Sequence, residues 1–260
     1  MSRLGHMLPK NNEVQYHTKV KHGDIGKYVL MPGDPGRVPM IAQYLNNAYE
    51  VACNREFRTM TGFNDDIKVS VTSTGIGGPS ASIAVEELIQ AGAEVFIRIG
   101  TAGSLQRTVK MGDLVISTGS VRDEGTTRQY VPLSYPAIAD LDVTFALRMA
   151  AQKLGLAHHC GITHSKDAFF MESTPDSEPV PLHEYNQMQW NIWERSHVLA
   201  TAMEGAAIFV VSSLRQVQAG EILTIVGLTY EDTPIVPGIS SDNAIKVALE
   251  AIKILEKNKQ

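Results

Sequence analysis

Three short stretches of this chain combine glycine, hydroxyl and arginine side chains in a way that suits an anion. The first is Met31-Pro32-Gly33-Asp34-Pro35-Gly36-Arg37, set between an apolar run and the helical pattern of Val38–Leu45. Glycine at a strand end lets backbone N–H groups approach an anion closely, and Arg37, one helical turn in, adds a forked, permanent positive charge. An ordinary Gly-Pro turn reads the same way. The second stretch is Phe96-Ile97-Arg98-Ile99-Gly100-Thr101-Ala102-Gly103, where an arginine sits inside an otherwise apolar strand. A buried guanidinium is costly unless an anion pairs with it, whether a ligand or an internal Asp or Glu. The Gly-Thr-Ala-Gly that follows offers a hydroxyl and close backbone approach at the strand's carboxyl end, where α/β proteins hold ligands. The third is Ser73-Thr74-Gly75-Ile76-Gly77-Gly78-Pro79-Ser80, with Pro79 and Ser80 near a helix start. It is neither GxGxxG nor a P-loop, which weakens dinucleotide and ATP readings and leaves ligand contact and a tight packing turn as alternatives.

These stretches need strands to carry them and helices to back them. Short β-branched runs at Lys27–Met31, Ile67–Ser73, Val95–Ile99, Asp113–Thr118, Gly161–His164 and Ile222–Thr229 read as strands. Between them, Ser80–Ala91, Val143–Leu154, Met203–Val217 and Asn243–Lys257 carry apolar residues at helical spacing. The alternation predicts an α/β fold. No repeat or interdomain linker interrupts it, so one domain is expected over 17–260, after a flexible segment at 1–16. Met171–Gln189, rich in Pro, Ser and Glu, reads as a surface insertion that covers something.

Composition narrows the function. The 260 residues are 43% hydrophobic, enough for one substantial core, and the net charge of −5 without a Lys/Arg block gives DNA or RNA no electrostatic footprint. Cys53 and Cys160 stand far apart without metal-ligand spacing, which argues against a disulfide framework or a structural zinc. Neither a signal peptide's apolar stretch nor a membrane-length run is present, so a cytoplasmic protein without membrane contact is expected. No Ser/His/Asp or Cys/His nucleophile set can be defended.

The run Ser73-Thr74-Gly75-Ile76-Gly77-Gly78-Pro79-Ser80-Ala81-Ser82-Ile83-Ala84-Val85-Glu86-Glu87-Leu88 resembles the signature of the nucleoside phosphorylase family of uridine phosphorylases and hexameric purine nucleoside phosphorylases. The resemblance extends from about Tyr16 to Ile254, nearest to bacterial uridine phosphorylases, with Asn54-Arg55-Glu56-Phe57, Arg98-Ile99-Gly100-Thr101 and Met203-Glu204 in family order. It implies a twisted mixed sheet, partly closed into a barrel and flanked by helices, in subunits paired as dimers within a hexamer. It implies inorganic phosphate as co-substrate, held by Gly33, Arg37, Arg98 and Thr101, with Arg55 reaching in from a neighbouring subunit. Met203 and Glu204 would hold the ribose, His17 from a neighbour its 5′-hydroxyl, and Phe169 would stack at base and sugar. No organic cofactor is implied. Glu56, Ile76 and Ser80 match positions that hold a monovalent cation, potassium, at the dimer interface of some relatives.

The implied chemistry has a physical logic: a fixed phosphate beneath C1′ stabilises the developing ribosyl cation and then captures it. The base pocket departs from the uridine phosphorylase pattern. Its Phe-x-x-x-Gln-x-Arg segment is here Phe169-Phe170-Met171-Glu172-Ser173-Thr174-Pro175, with Glu172 at the Gln position when one gap is allowed. The family's later Asn-Arg pair becomes Glu231-Asp232, and the first Glu of Glu-Met-Glu becomes Ala202. Uracil offers two carbonyl acceptors and one donor, which carboxylates serve poorly. A purine suits them better, since Glu172 can accept from N1–H and a protonated Asp232 or Glu231 can donate to N7 as general acid. Uridine therefore follows from overall resemblance and a purine from the pocket. A nucleosidase would lack the full set Arg37, Arg55 and Arg98, and a non-catalytic nucleoside-binding protein is the alternative of another class.

Overall fold

The computed structural model describes residues 9, 13–171, 178–229 and 240–258. The chain runs β1 (Tyr28–Met31), α1 (Arg37–Ala42), β2 (Asn46–Asn54), β3 (Phe57–Asn64), β4 (Ile67–Thr72), α2 (Gly78–Gln90), β5 (Val95–Ser104) and β6 (Leu114–Asp123). It continues through α3 (Thr126–Tyr130), β7 (Ala137–Ile138), α4 (Leu141–Lys153), β8 (His158–Lys166), α5 (His183–Arg195), β9 (Ala200–Ala202), α6 (Gly205–Leu214), β10 (Gln218–Leu228) and α7 (Asp242–Asn258). The strands form one mixed sheet in the order β10-β6-β8-β9-β5-β1-β4-β3-β2, and β10 pairs with β5 as well. That extra pairing closes β5, β10, β6, β8 and β9 into a barrel, while β1, β4, β3 and β2 extend from it as an open sheet.

Central parallel strands lie between two helix layers and read as unbroken apolar runs. In β1 every residue of Tyr-Val-Leu-Met is buried, and successive side chains serve opposite cores. Leu30 packs with Ile97, Ile99, Leu147 of α4 and Ile252 of α7, while Val29 and Met31 pack with Phe96, Val85 of α2 and Phe209 of α6. The apolar stripe expected on α7 is buried at Ile245, Val247, Leu249, Ile252 and Leu255. A smaller cluster of Ala102, Val115, Ala200, Leu223 and Ile225 comes from barrel strands.

All six expected strands form, four of them longer than expected: β5 continues to Ser104, β6 to Asp123, β8 spans His158–Lys166 and β10 starts at Gln218. The β2–β3 hairpin was not expected. It lies at the sheet margin, where β2 is mostly exposed or half-buried and so carries little apolar patterning. The expectation of an insertion over Met171–Gln189 is corrected in its second half, because α5 begins at His183. Pro179 and Pro181 precede that helix, and their breaker character masked its start. Among the described residues no helix is long and apolar enough to cross a membrane.

Candidate active site

The site is organised around Arg98, whose side chain is 5% exposed. Its register partner across β5 and β10 is Glu221, and Nε donates to Glu221 Oε1 at 3.0 Å. Nη2 pairs with Glu204 Oε2. Nη1 is buried and has no hydrogen-bond partner among the described residues. The internal-acid reading of the buried arginine holds: carboxylates take two edges of the guanidinium, and the third meets no acceptor among the described residues. Two glycines make room for this arrangement. A Cβ on Gly100 would stand 3.0 Å from Arg98 Nη2 and 2.6 Å from Leu223, and one on Gly205 would stand 2.8 Å from Glu221 Oε1.

Glu204 precedes α6, is 4% exposed, and accepts the Gly77 backbone N–H at 2.8 Å. The third glycine stretch therefore holds a carboxylate, with Gly77 in the left-handed region at φ 88°. The first stretch zips onto it: Gly75 N–H donates to Gly33 O at 2.9 Å, and Thr74 N–H to Pro32 O at 2.9 Å. Arg37 is the first residue of α1, where a position one turn in was expected. Among the described residues, Arg37 and Arg55 make no ion pair within the chain. Because β9 runs antiparallel to β5, with Gly103 opposite Thr201, Met203 and Glu204 emerge at the stretch of β5 that carries Thr101 and Gly100. Thr101 and Met203 are half-buried.

His17 and Arg55, expected to serve a neighbouring subunit, are close together here. Asn54 Nδ2 donates to His17 O at 2.7 Å, and Arg55 follows at the β2–β3 turn with φ 54°. Glu87 of α2 anchors this corner. Its carboxylate accepts from the backbone N–H of His17 at 2.9 Å and of Thr18 at 2.7 Å. It also meets the Thr18 hydroxyl at 2.8 Å and His17 Nδ1 at 2.7 Å. Burial alone would raise the Glu87 carboxyl, but the hydrogen bonds from Thr18 and His17 outweigh it and hold the group below the usual carboxylate range. A depressed folded-state value stabilises at pH above the unfolded Glu value and loses that contribution as pH falls through the folded one. We expect Glu87→Ala to remove about 2 kcal/mol, the scale of a hydrogen bond to a charged group, and to flatten the acid side of the stability curve. Hydrogen exchange at the His17 and Thr18 amides checks this, and unchanged protection would refute the anchor.

The three residues matched to a cation site also meet. A Cβ on Gly75 would lie 2.8 Å from Glu56 Cγ and 3.1 Å from Ser80 Oγ, and Ser80 Oγ donates to Ile76 O at 3.1 Å. Ile76 is exposed. Among the described residues no group of three or more His, Cys, Asp or Glu could hold a metal ion. Phe169 is exposed and stands edge-on to Phe170 at 5.0 Å. Glu172, Glu231 and Asp232, on which the base reading rested, lie outside the described residues. Beside Phe170, a cavity is lined by Asp123, Lys166, Tyr185, Asn186 and Gln189.

Sequence reasoning missed Glu221 and Glu87. Glu221 carried a usable signal, because it is an acid next to the apolar run Ile222-Leu223-Thr224-Ile225-Val226. The suspicion raised by Arg98 applies to it equally.

Comparison with known proteins gives this geometry its family. The model of the phosphorylase superfamily matches residues 27–256. The chain is 42% identical over 251 residues to uridine phosphorylase from Treponema pallidum, covering 95% of this chain and 96% of the relative. It is 40% identical over 248 residues to uridine phosphorylase from Thermococcus kodakarensis, covering 95% and 89%. Guanosine phosphorylase from Halorubrum lacusprofundi is 36% identical over 251 residues, covering 93% and 99%. With a buried arginine held between two carboxylates on such a barrel, and with relatives matched over nearly their whole length, the chain belongs to the phosphorylase superfamily and is a nucleoside phosphorylase.

Proposed function

We propose that this enzyme phosphorolyses uridine, releasing uracil and ribose 1-phosphate. The observation that carries the phosphate half is the buried Arg98 Nη1, without a partner among the described residues, a donor that an incoming oxyanion would satisfy. Gly33, Arg37 and Thr101 complete the phosphate site with Arg55 of a neighbouring subunit. Glu204 accepts from the ribose 2′ and 3′ hydroxyls beside Met203, His17 of the neighbour takes the 5′-hydroxyl, and Phe169 covers base and sugar. Phosphate fixed under C1′ meets the positive charge that develops as the glycosidic bond lengthens. The subunits work as dimers assembled into a hexamer, in the cytoplasm, with potassium at Glu56, Ile76 and Ser80 on the dimer interface.

Uridine is supported by the Treponema and Thermococcus relatives at 42% and 40% identity. The Gln189 amide and the Lys166 ammonium in the cavity beside Phe170 supply donors of the kind uracil carbonyls need. A second reading, purine phosphorolysis, is favoured by the guanosine phosphorylase relative and by the acids Glu172, Glu231 and Asp232, with Asp232 as general acid. Uridine, thymidine, inosine, guanosine and adenosine assayed with and without phosphate separate the two. We expect phosphate-dependent release of uracil. Turnover confined to inosine or guanosine would replace uridine by a purine, and equal rates without phosphate would overturn phosphorolysis.

A further inference from the structure

Glu221 is a carboxylic acid with 0% exposure in the interior of the β5–β10–β6–β8–β9 ring. Three of its neighbours come from different strands of that ring and the fourth from the start of α6. Arg98 on β5 gives Nε to Oε1 at 3.0 Å. Ser117 on β6 hydrogen bonds to Oε2, and Thr163 Oγ1 on β8 lies 3.3 Å from the same oxygen. The backbone at Gly205 closes the last side, where any Cβ would press on both carboxyl oxygens at 2.8 and 2.9 Å. Among the described residues two charged groups face Glu221, Arg98 and Glu204; β6 and β8 present hydroxyls to it.

Charge counting decides what such a group can do. Arg98 carries one positive charge and already pairs with Glu204. If Glu221 were also ionised, the cluster would be net negative before any phosphate arrived, in a space where like charges are poorly screened. The neutral acid removes that conflict and still satisfies every neighbour. Its carbonyl oxygen accepts from Arg98 Nε and its O–H donates to Ser117 Oγ. Ser117 can then pass its proton to Thr163, 3.1 Å away, which reaches Gly119 O at 3.4 Å.

We propose that Glu221 is the positioning residue of Arg98: as a neutral acid it fixes the guanidinium plane from Nε, which keeps Nη1 turned to the phosphate and adds no second negative charge to the Arg98–Glu204 pair. This rests on the phosphate reading of Arg98 given above. Burial, working against the pull of Arg98 and the Ser117 hydrogen bond and aided by Glu204, raises the Glu221 carboxyl above the ordinary carboxylate range. A raised carboxyl keeps its proton at lower pH and gives it up as pH rises through the folded-state value, so the arrangement fails on the alkaline side.

The test compares Glu221→Leu and Glu221→Gln with the native enzyme by steady-state kinetics in inorganic phosphate across pH. Leucine removes the acceptor at Nε, and we expect phosphate KM to rise by about tenfold to a hundredfold, the effect of misplacing a positioned group, with a smaller change in kcat. Glutamine is the neutral isostere, with an amide oxygen for Nε and an N–H for Ser117, and should restore most of the loss. Phosphate's own second ionisation is common to all three proteins. The ratio of native to Glu221→Gln phosphate KM should therefore be flat at low pH and climb as Glu221 ionises. Equal damage from glutamine and leucine would overturn the neutral acid, and an unchanged phosphate KM in a folded Glu221→Leu protein would overturn the positioning role. If Arg98→Ala itself left phosphate dependence intact, the phosphate reading would fall, which is a separate outcome from losing it in Arg98→Ala but not in Glu221→Leu.

Discussion

Arg98→Ala should reduce kcat/KM for phosphate by at least ~3 kcal/mol, a factor of roughly 150, the scale of removing one preorganised donor from a water-excluded site. The geometry gives reason to expect more. The substitution takes away the free Nη1 and also deprives Glu204 and Glu221, 4% and 0% exposed, of their shared cation. Breaking a buried ion pair by removing one partner costs about 3–5 kcal/mol of stability, so loss of activity must be separated from loss of fold. Arg98→Lys serves that purpose. It keeps a positive charge in the barrel, but one ammonium cannot present a planar fork to two carboxylates and a third acceptor. We expect a folded protein with a strongly raised phosphate KM. Native phosphate kinetics in Arg98→Lys, with the melting temperature preserved, would show that the fork has no part in binding.

The second large effect is a gain. Arg55→Ala and Arg98→Ala should each be nearly inactive alone, and mixing them under conditions of subunit exchange should restore activity. In a mixed dimer one site receives both lesions and the other neither, so random 1:1 pairing restores about a quarter of the native sites. The structure gives this expectation its physical footing. Arg55 sits at the tip of an edge hairpin, tied through Asn54 to His17, and makes no ion pair within its own chain among the described residues. An edge strand with a positive, exposed turn is poised to meet a second copy. Hybrids that form at every ratio and remain inactive would show that each subunit completes its own site.

What was legible in the sequence followed burial. β1, β5 and β10 are buried on both faces and read as continuous apolar runs, so their positions could be named from residue types. The hairpin of β2 and β3 was not read, although Phe57, Thr59 and Thr61 alternate inward, because two of those inward residues are threonines. Arg98 stood out for one reason, a charge in an apolar strand, and the structure gives that anomaly its explanation in Glu204 and Glu221. That they pair with Arg98 was not legible, since they lie 106 and 123 positions away in the chain and are brought in by the pairing of β9 and of β10 with β5. The resemblance supplied Glu204 and Arg55, neither of which composition or spacing distinguishes from an ordinary surface charge.

These long separations also bear on how the protein matures. Arg98 to Glu221 and Gly77 to Glu204 each span more than 120 positions, so the first contact waits for β10, the last strand of the ring, and the second for β9. Closing so large a loop is entropically demanding and tends to come late in folding. Arg98 is therefore held between its two carboxylates only in the completed barrel, and a ligand that needs that arrangement binds the completed fold. On the phosphate reading proposed above, mass action stabilises the finished barrel by about 2.7 kcal/mol at a hundred times the dissociation constant. On that reading the co-substrate should also serve as a ligand that protects the enzyme against unfolding.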